Sequence, residues 1–475
     1  MRRGPGRMDG RSRAGRLLSW ALVALVVLAP GPARAAVRAP ATAAVYPPAG
    51  VHRLSNGLRV VLRDTPGSGL VAVALLAGVA PRYEDPDHAG AAVLVREIAL
   101  QGTTTRTAEE IAGVLDSVGG SLRTGTSVDY TQWGTLTRPE HVDLALELIA
   151  DLVTNAAFDP RAVEAQRRLS LNRLRQQQDA PQGRAIDLAL ARLYPFHPYG
   201  RSILGTSDAL TRLSREQLVS YYQTYYTAPN MVLAIAGDLR GPVALAKAAR
   251  AFGGLRDAPV PHRACLLRVV EPALTPRPSA PTDLREPQRT AAAWIAFIYL
   301  GVRAGHRDWA TLQVLNAILG GGAASRLFLE IRERQGLVYS IGSGFSTRAA
   351  AAPLLLSAGT DPRDAPRVVQ GMLDEVSRLQ RTLVSSEELA RGRNRVTGIL
   401  AIDQEDLRQQ AFYAAWFELL GLGAGFTRRL AEEIGRVGAD DVQRAARLYL
   451  TNPSIVVVMP AGSEPSGPAQ RRGVH

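Results

Sequence analysis

The sequence predicts an α+β protein of two similar domains, each a mostly antiparallel sheet flanked by helices. The 475 residues are 46% hydrophobic and 21% charged, a composition that is globular in a chain too long for one ordinary core. Alternating apolar strands stand beside segments whose apolar residues recur every three and four positions, as in helices. A similar order of such segments also occurs twice along the chain, which favours two related domains.

The first domain is predicted to span residues 50–255. Within "HRLSNGLRVVLRD", Asn56-Gly57 lies between alternating apolar positions, as is typical of a β-hairpin. An apolar strand follows from Leu70, and a short helix lies within "GAAVLVREIALQGTTTR". The remaining elements are helices over 108–118, 139–155, 160–179 and 183–194, and strands within "SLRTGTSVDYTQWGTLT".

The second domain is predicted from the repeat. The segments "YYTAPNMVLAIAG" from Tyr225 and "LYLTNPSIVVVMPAG" from Leu448 each indicate a helix end, a proline turn and a buried strand. Residues 72–102 and 292–322 match as strand, charged loop, helix and glycine turn. The predicted segments are a flexible stretch over 36–49, a Pro- and Arg-rich connector over 256–289, the second domain over 290–462 and a disordered tail over 463–475.

The first 35 residues have the order of a secretory signal peptide. An arginine-rich start precedes an apolar run from Leu17 to Leu28, and prolines then lead to a cleavage site near Ala35/Ala36. That run is too short to span a bilayer. We therefore expect an exported protein, periplasmic or extracellular, without stable membrane insertion. Because Cys265 is the sole cysteine, no internal disulfide can form.

The sequence offers little for nucleic-acid, metal or nucleophilic chemistry. The net charge is +13, but no basic run alternates with aromatic residues, so no nucleic-acid partner is expected. None of the seven histidines has a second histidine three to five positions away, so a metal site would have to be assembled from scattered ligands. The glycine turn in "ILGGGAASRLF" could cradle a phosphate or be a plain turn.

The segment "SRLFLEIRERQGLVYSIGSGF" predicts a helix that Ser325 caps and Gly336 ends, followed by a strand. Arg332 falls in the last helical turn and Tyr339 on the strand. Guanidinium and phenol groups are hydrogen-bond donors that could hold a peptide carbonyl or a developing oxyanion. The alternative is structural: an arginine that pairs with a nearby carboxylate, and a tyrosine packed on the sheet.

Together, these segments resemble the pitrilysin/insulinase family of zinc peptidases, in particular its mitochondrial processing peptidase-like branch. The resemblance covers about residues 50–462 and depends on "LSNGLRVVL", "GVAPRYEDPDHAG", "FDP", "HPYG", "YYTAPNMVLAIAGD" and "SRLFLEIRERQGLVYS". It implies that two sheet-and-helix domains form half of a clamshell around an unfolded peptide. It also implies that Arg332 and Tyr339 are the family's pair for substrate binding and oxyanion stabilisation.

The resemblance fails where family members that cleave peptides carry H-x-x-E-H. Aligned without a gap, Val93 and Glu97 stand at the two histidine positions and Arg96 at the glutamate position, while the third ligand position falls near Arg173. An arginine has no lone pair for a metal, so this chain is predicted to bind no catalytic zinc. Arg96 and Glu97 could form a salt bridge inside the emptied site or lie in solvent at the helix edge.

These observations predict a non-catalytic, substrate-binding subunit of an exported heterodimeric zinc peptidase. Zinc is expected in the partner, a homologous H-x-x-E-H subunit, and the complex would act on an unfolded peptide. The alternative is a non-enzymatic peptide-binding or assembly factor built on a degenerate peptidase fold.

Overall fold

The computed structural model describes residues 48–260 and 282–461. The predicted signal peptide, Cys265 and the tail after residue 462 lie outside these residues. The strands of the first half are β1 (Gly50–Arg53), β2 (Arg59–Asp64), β3 (Val71–Ala77), β4 (Arg123–Thr126), β5 (Thr131–Thr137) and β6 (Met231–Gly237). Its helices are α1 (Ala91–Ala99), α2 (Ala108–Asp116), α3 (Val142–Thr154), α4 (Pro160–Asp179), α5 (Pro181–Leu193), α6 (Ser207–Arg212), α7 (Arg215–Tyr225) and α8 (Gly241–Phe252).

The second half repeats this plan. Its strands are β7 (Thr282–Gln288), β8 (Ala293–Leu300), β9 (Val338–Phe345), β10 (Pro353–Thr360) and β11 (Ser454–Pro460). Its helices are α9 (Trp309–Leu319), α10 (Phe328–Arg334), α11 (Ala365–Arg381), α12 (Ser386–Asp403), α13 (Leu407–Leu419), α14 (Phe426–Arg436) and α15 (Ala439–Tyr449).

The two sheets confirm the predicted α+β class and the two similar domains. The strand order is β1-β2-β6-β3-β5-β4 in the first sheet and β7-β11-β8-β10-β9 in the second. All neighbours are antiparallel except β2 with β6 and β7 with β11. After β1, the two orders therefore match strand for strand, including the single parallel pair.

The predicted hairpin at Asn56-Gly57 is present between β1 and β2. Arg53 pairs with Arg59, and Gly57 has a φ of 86°, a conformation that glycine adopts without steric cost. The Asn56 amide donates to the carbonyl oxygens of Phe252 and Leu255, so the turn is also fastened to the end of α8.

The predicted connector was wrong at its C-terminal end. Residues 282–288 form β7, an edge strand that pairs with β11, rather than part of a linker that ends at residue 289. The strand was hidden in the sequence because it carries charged residues and Pro287. An edge strand tolerates both, since one of its sides needs no ladder partner.

Each half covers one face of its own sheet and lends a helix to the other sheet. In β3, Val71, Val73 and Leu75 face the helices of the first half. The opposite face of the first sheet lies under α13 of the second half. Reciprocally, α5 of the first half lies on β8 and β11 of the second sheet, with Ala185 and Ala189 in its apolar contact. The two sheets therefore bury both faces only when the halves are together.

A buried polar network also joins the halves. Asp129 is 2% exposed and accepts hydrogen bonds from Arg82 at 3.2 Å, from the Tyr199 hydroxyl at 2.5 Å and from the Ala349 amide at 3.2 Å. Tyr194 donates to the carbonyl oxygen of Ala351 at 2.7 Å. Because buried polar groups are costly without partners, this network specifies one docking of the halves.

No helix in the described ranges has the length and apolar character that crossing a bilayer requires.

Truncating a side chain of the exchanged helix α13 should destabilise the whole molecule. Trp416 is 3% exposed and its ring lies 4.6 Å from that of Tyr130 in the first half. We expect Trp416→Ala to lower the free energy of unfolding by about 3–5 kcal/mol, measured by urea denaturation. The half-exposed Leu169→Ala serves as control, with an expected change within about 0.5 kcal/mol. A small effect of Trp416→Ala would contradict the helix exchange.

Candidate functional site: a substituted metal position and an exposed Arg/Tyr pair

Helix α1 is held in place by a buried carboxylate at its N-terminus. Glu84 is 2% exposed and accepts the backbone N–H of Gly90 at 2.8 Å and of Ala92 at 2.6 Å. These donors have no partner inside the helix, and a negative charge is favoured at this end. Glu84 was not predicted as a site residue, although it lies in the charged loop just before the helix.

Of the four positions where the sequence departs from the zinc motif, three form one cluster: Arg96, Glu97 and Arg173. The Glu97 Oε1 atom accepts from Arg96 Nη2 at 2.9 Å and from Arg173 Nη1 at 2.7 Å. The side chains of Arg96 and Glu97 are only 11% and 15% exposed, whereas that of Arg173 is 47% exposed. Of the two predicted alternatives for Arg96 and Glu97, the structure has the largely buried salt bridge. Val93, the fourth position, is buried.

The cluster cross-links three elements of the first half. Arg173 lies on α4 and Glu97 on α1, so their ion pair joins the two helices. Arg96 also donates from Nε to the Thr126 hydroxyl at 3.1 Å and from Nη1 to the Thr124 hydroxyl at 2.8 Å. These threonines lie on β4, the edge strand of the first sheet. Thr124 and Thr126 were not predicted, because they lie about 30 residues after Arg96 in the sequence and on a different element.

The residues of this cluster do not fit a metal ion. Val93 offers no donor atom, Arg96 and Arg173 are cations without a free lone pair, and the only carboxylate, Glu97, is already shared by both guanidinium groups. A cation placed here would also meet two positive charges. Within 48–260 and 282–461, no three His, Cys, Asp or Glu side chains come together in a way that could hold a metal.

The structure exposes Arg332 and Tyr339 at the edge of the second sheet. Arg332 lies near the end of α10, whose turns over Phe328–Arg334 are π-helical, and Gly336 ends this segment with a φ of 64°. Tyr339 is 52% exposed on the edge strand β9. The predicted cap differs, because the buried Ser325 hydroxyl has no hydrogen-bond partner in the described residues.

Local packing leaves the polar ends of this pair available. The Arg332 guanidinium lies 4.8 Å from the centre of the Phe328 ring, and in the described ranges it forms no ion pair. The Tyr339 ring meets the Trp294 ring edge to face at 5.7 Å. A Cβ at Gly359 would come within 2.5 Å of the Tyr339 hydroxyl, so the tyrosine ring lies directly over this glycine. The carboxylate-paired arginine considered from the sequence is therefore not what the structure contains. Trp294 and Gly359 were not predicted.

Family models match both halves of the chain. Residues 59–207 match the model described as insulinase, peptidase family M16, and residues 212–396 match the model described as the peptidase M16 inactive domain. A protein of Mycobacterium tuberculosis (strain H37Rv), described as an uncharacterized zinc protease, is 31% identical over 89% of this chain and 95% of its own length. The chain belongs to the insulinase family, peptidase family M16.

Other similar proteins are matched over nearly their whole length. A Bacillus subtilis protein, described as the uncharacterized zinc protease YmxG, is 27% identical over 87% of this chain and 99% of its own length. A protease from Helicobacter pylori has the same fold, with a TM-score of 0.81 and 19% identity over 87% of this chain and all of that chain. A peptidase M16 inactive domain protein from Pseudomonas fluorescens gives a TM-score of 0.78 and 20% identity, covering 87% of this chain and 98% of that one.

Two charge changes in the cluster of this insulinase-family chain should have unequal effects. Glu97→Gln leaves Arg96 largely buried beside Arg173 without a counter-charge, so we expect the free energy of unfolding to fall by about 1–3 kcal/mol. Arg173→Gln removes a half-exposed partner and should cost less than about 1 kcal/mol. Urea denaturation measures both, with the exposed Arg175→Gln on the same helix as control. Equal losses for Glu97→Gln and Arg173→Gln would contradict the buried arrangement.

Glu84 should make stability depend on pH. Burial raises the pKa of this carboxyl from 4.5 to about 7, although the amides of Ala92 and Gly90 oppose the shift. The folded state therefore holds the proton more tightly than the unfolded state. The stabilisation is complete below pH 4.5 and is lost as the pH rises through 7. Relative to Glu84→Gln, the wild-type free energy of unfolding should fall across this window, by up to about 1.4 kcal/mol per pH unit.

Urea titrations at several pH values test this prediction. The exposed Glu109→Gln on α2 is the control and should leave the wild-type pH profile unchanged. If the difference between wild type and Glu84→Gln were independent of pH, the assignment would be wrong.

Proposed function

We propose that this chain is the non-catalytic, substrate-binding subunit of an exported heterodimeric zinc peptidase. The observation that carries the proposal is a contrast between the two halves. The first half has an ion cluster where relatives that cleave peptides hold their metal. The second half exposes Arg332 and Tyr339, whose donor groups have no hydrogen-bond or ion-pair partner among the described residues. Membership of the insulinase family, with a match to its inactive domain, supports a peptidase-like role.

The chemistry of the exposed pair suits peptide binding. A guanidinium and a phenol donate hydrogen bonds to a carbonyl oxygen, and they interact more strongly as that oxygen gains negative charge. Neither group activates water in this role. Zinc and the group that activates water are therefore assigned to the partner, a homologous subunit with H-x-x-E-H, and this chain supplies half of the clamshell around an unfolded peptide. Export follows from the signal-like first 35 residues.

Co-purification from the native host tests the assembly. The proposal expects a partner of similar length that carries H-x-x-E-H, cleavage of an unfolded peptide by the complex, and no cleavage by either chain alone. A chelator should abolish the activity of the complex. If the chain binds peptide but no partner with H-x-x-E-H co-purifies with it, the alternative is favoured, a non-enzymatic binding or assembly factor. Stoichiometric zinc and peptidase activity in the isolated chain would refute the proposal.

Substitutions in the pair test its role in the complex. Removing a donor to an oxyanion typically lowers turnover by about 100- to 1,000-fold. We expect losses of that order for Tyr339→Phe and for Arg332→Gln, with assembly of the complex unchanged by gel filtration. Arg334→Gln is the matched control, because Arg334 lies on the same helix and already pairs with Glu330. Unchanged turnover in Tyr339→Phe would remove the tyrosine from the mechanism.

A further inference from the structure

A groove between α9 and α12 lies at the place in the second half that corresponds to the ion cluster of the first. The repeat matches residues 72–102 with 292–322, so α9 corresponds to α1. Helix α12 packs against α9 as α4 packs against α1. A cavity of about 490 Å³ lies along the groove, and a smaller one of about 240 Å³ lies beside it, with Arg395 on the wall of both.

The groove has an arginine, Arg395, but no carboxylate at the position that corresponds to Glu97. In the matched segments, Ala317 stands where the first half has Glu97, and Ala317 lines both cavities. Arg395, on α12, is exposed and forms no ion pair or hydrogen bond with its side chain in the described ranges. Its guanidinium lies against Gly322, where a Cβ would come within 2.7 Å of the Arg395 Cζ atom.

The other charges around the larger cavity are already paired. Glu388 holds Arg326 through two hydrogen bonds of 2.6 and 2.8 Å, and Arg391 pairs with Glu387 on its own helix. Among the described residues, Arg395 is therefore the charge on the wall of the larger cavity that has no ion-pair partner. The smaller cavity also carries Asp403, which accepts a hydrogen bond from the Tyr413 hydroxyl. A negative group that enters the groove would gain a partner at Arg395 without displacing another.

A buried hydroxyl points to the same conclusion. Ser325 lines the larger cavity and is only 3% exposed, and its Oγ atom has no hydrogen-bond partner in the described residues. A buried hydroxyl without a partner is energetically unfavourable. The rim is apolar, since Ile399 and Ile402 are 47% and 71% exposed. The groove thus combines a cation and an unused hydroxyl with an exposed apolar rim.

We propose that this groove binds a carboxylate of an extended peptide, with an apolar side chain beside it on Ile399 and Ile402. The carboxylate pairs with Arg395, which lies against the glycine turn. This inference rests on the proposed function in one respect, that the chain binds unfolded peptide. It adds a substrate class, acidic peptides, and a second contact point distinct from Arg332 and Tyr339.

Matched peptides test the proposal on the full chain. The probes are short, unstructured, rhodamine-labelled peptides with blocked ends that differ only in Glu or Gln beside a leucine. A third peptide carries Gln and a free C-terminus. Fluorescence anisotropy at low salt should show about tenfold tighter binding of the Glu peptide than of the Gln peptide, which corresponds to about 1.4 kcal/mol. The third peptide shows whether a terminal carboxylate serves as well as a side chain.

Variants of Arg395 decide the assignment. Arg395→Gln should abolish the preference for Glu over Gln, and Arg395→Lys should retain part of it, with unchanged thermal unfolding. Arg381→Gln, an exposed arginine on α11, should keep the full preference. Equal binding of the Glu and Gln peptides to wild type, or a preference that survives Arg395→Gln, would overturn the inference and leave peptide binding intact. If no peptide bound, this inference and the peptide-binding part of the proposed function would both fail.

Discussion

The structure depends on the need to cover both faces of two apolar sheets. Strands β3 and β6 are buried along their entire lengths, yet the helices of the first half cover only one face of their sheet. The other face is covered by α13 of the second half, and α5 of the first half covers the corresponding face of the second sheet. Apolar burial of this kind is the main favourable term in folding, so exchange of the two helices makes the halves one cooperative body. The buried network around Asp129 then specifies how they dock.

The duplicated plan has been used for different chemistry in its two halves. In the first half, Glu97 ties α1 to α4 through Arg173, and Arg96 ties α1 to the threonines of β4. These ion pairs and hydrogen bonds cross-link α1, α4 and β4 without needing lone-pair donors for a metal. In the second half, no such link joins α9 and α12 within the described ranges, and Arg395, which has no ion-pair partner there, lines a groove. The first half therefore has paired side chains at this position, whereas the second half has a cavity beside Arg395, which has no ion-pair partner in the described residues.

Arg332 and Arg395 differ from many other arginines of this chain in having no carboxylate partner among the described residues. Many arginines of this chain are paired with nearby carboxylates, and exposed pairs contribute little to stability. A guanidinium without such a partner keeps its donors available for a ligand. Arg334, two residues after Arg332, and Arg391, about one turn before Arg395, show the contrast, since each pairs with a glutamate on its own helix.

Local sequence patterns were enough to predict the class of fold and many of its elements. Strand and helix periodicity and the Asn56-Gly57 turn can be recognised within a few consecutive residues. The repeat can be recognised by comparing two segments of the chain. That Arg96 cannot bind a metal follows from its chemistry alone. Three features could be seen only in the folded structure. Helices α5 and α13 exchange sheets, Glu84 holds α1, and Arg96 and Glu97 are largely buried in a cluster with Arg173. These outcomes depend on contacts between residues far apart in the chain. The edge strand β7 belongs with them, because its polar sequence becomes a strand only when β11 lies beside it.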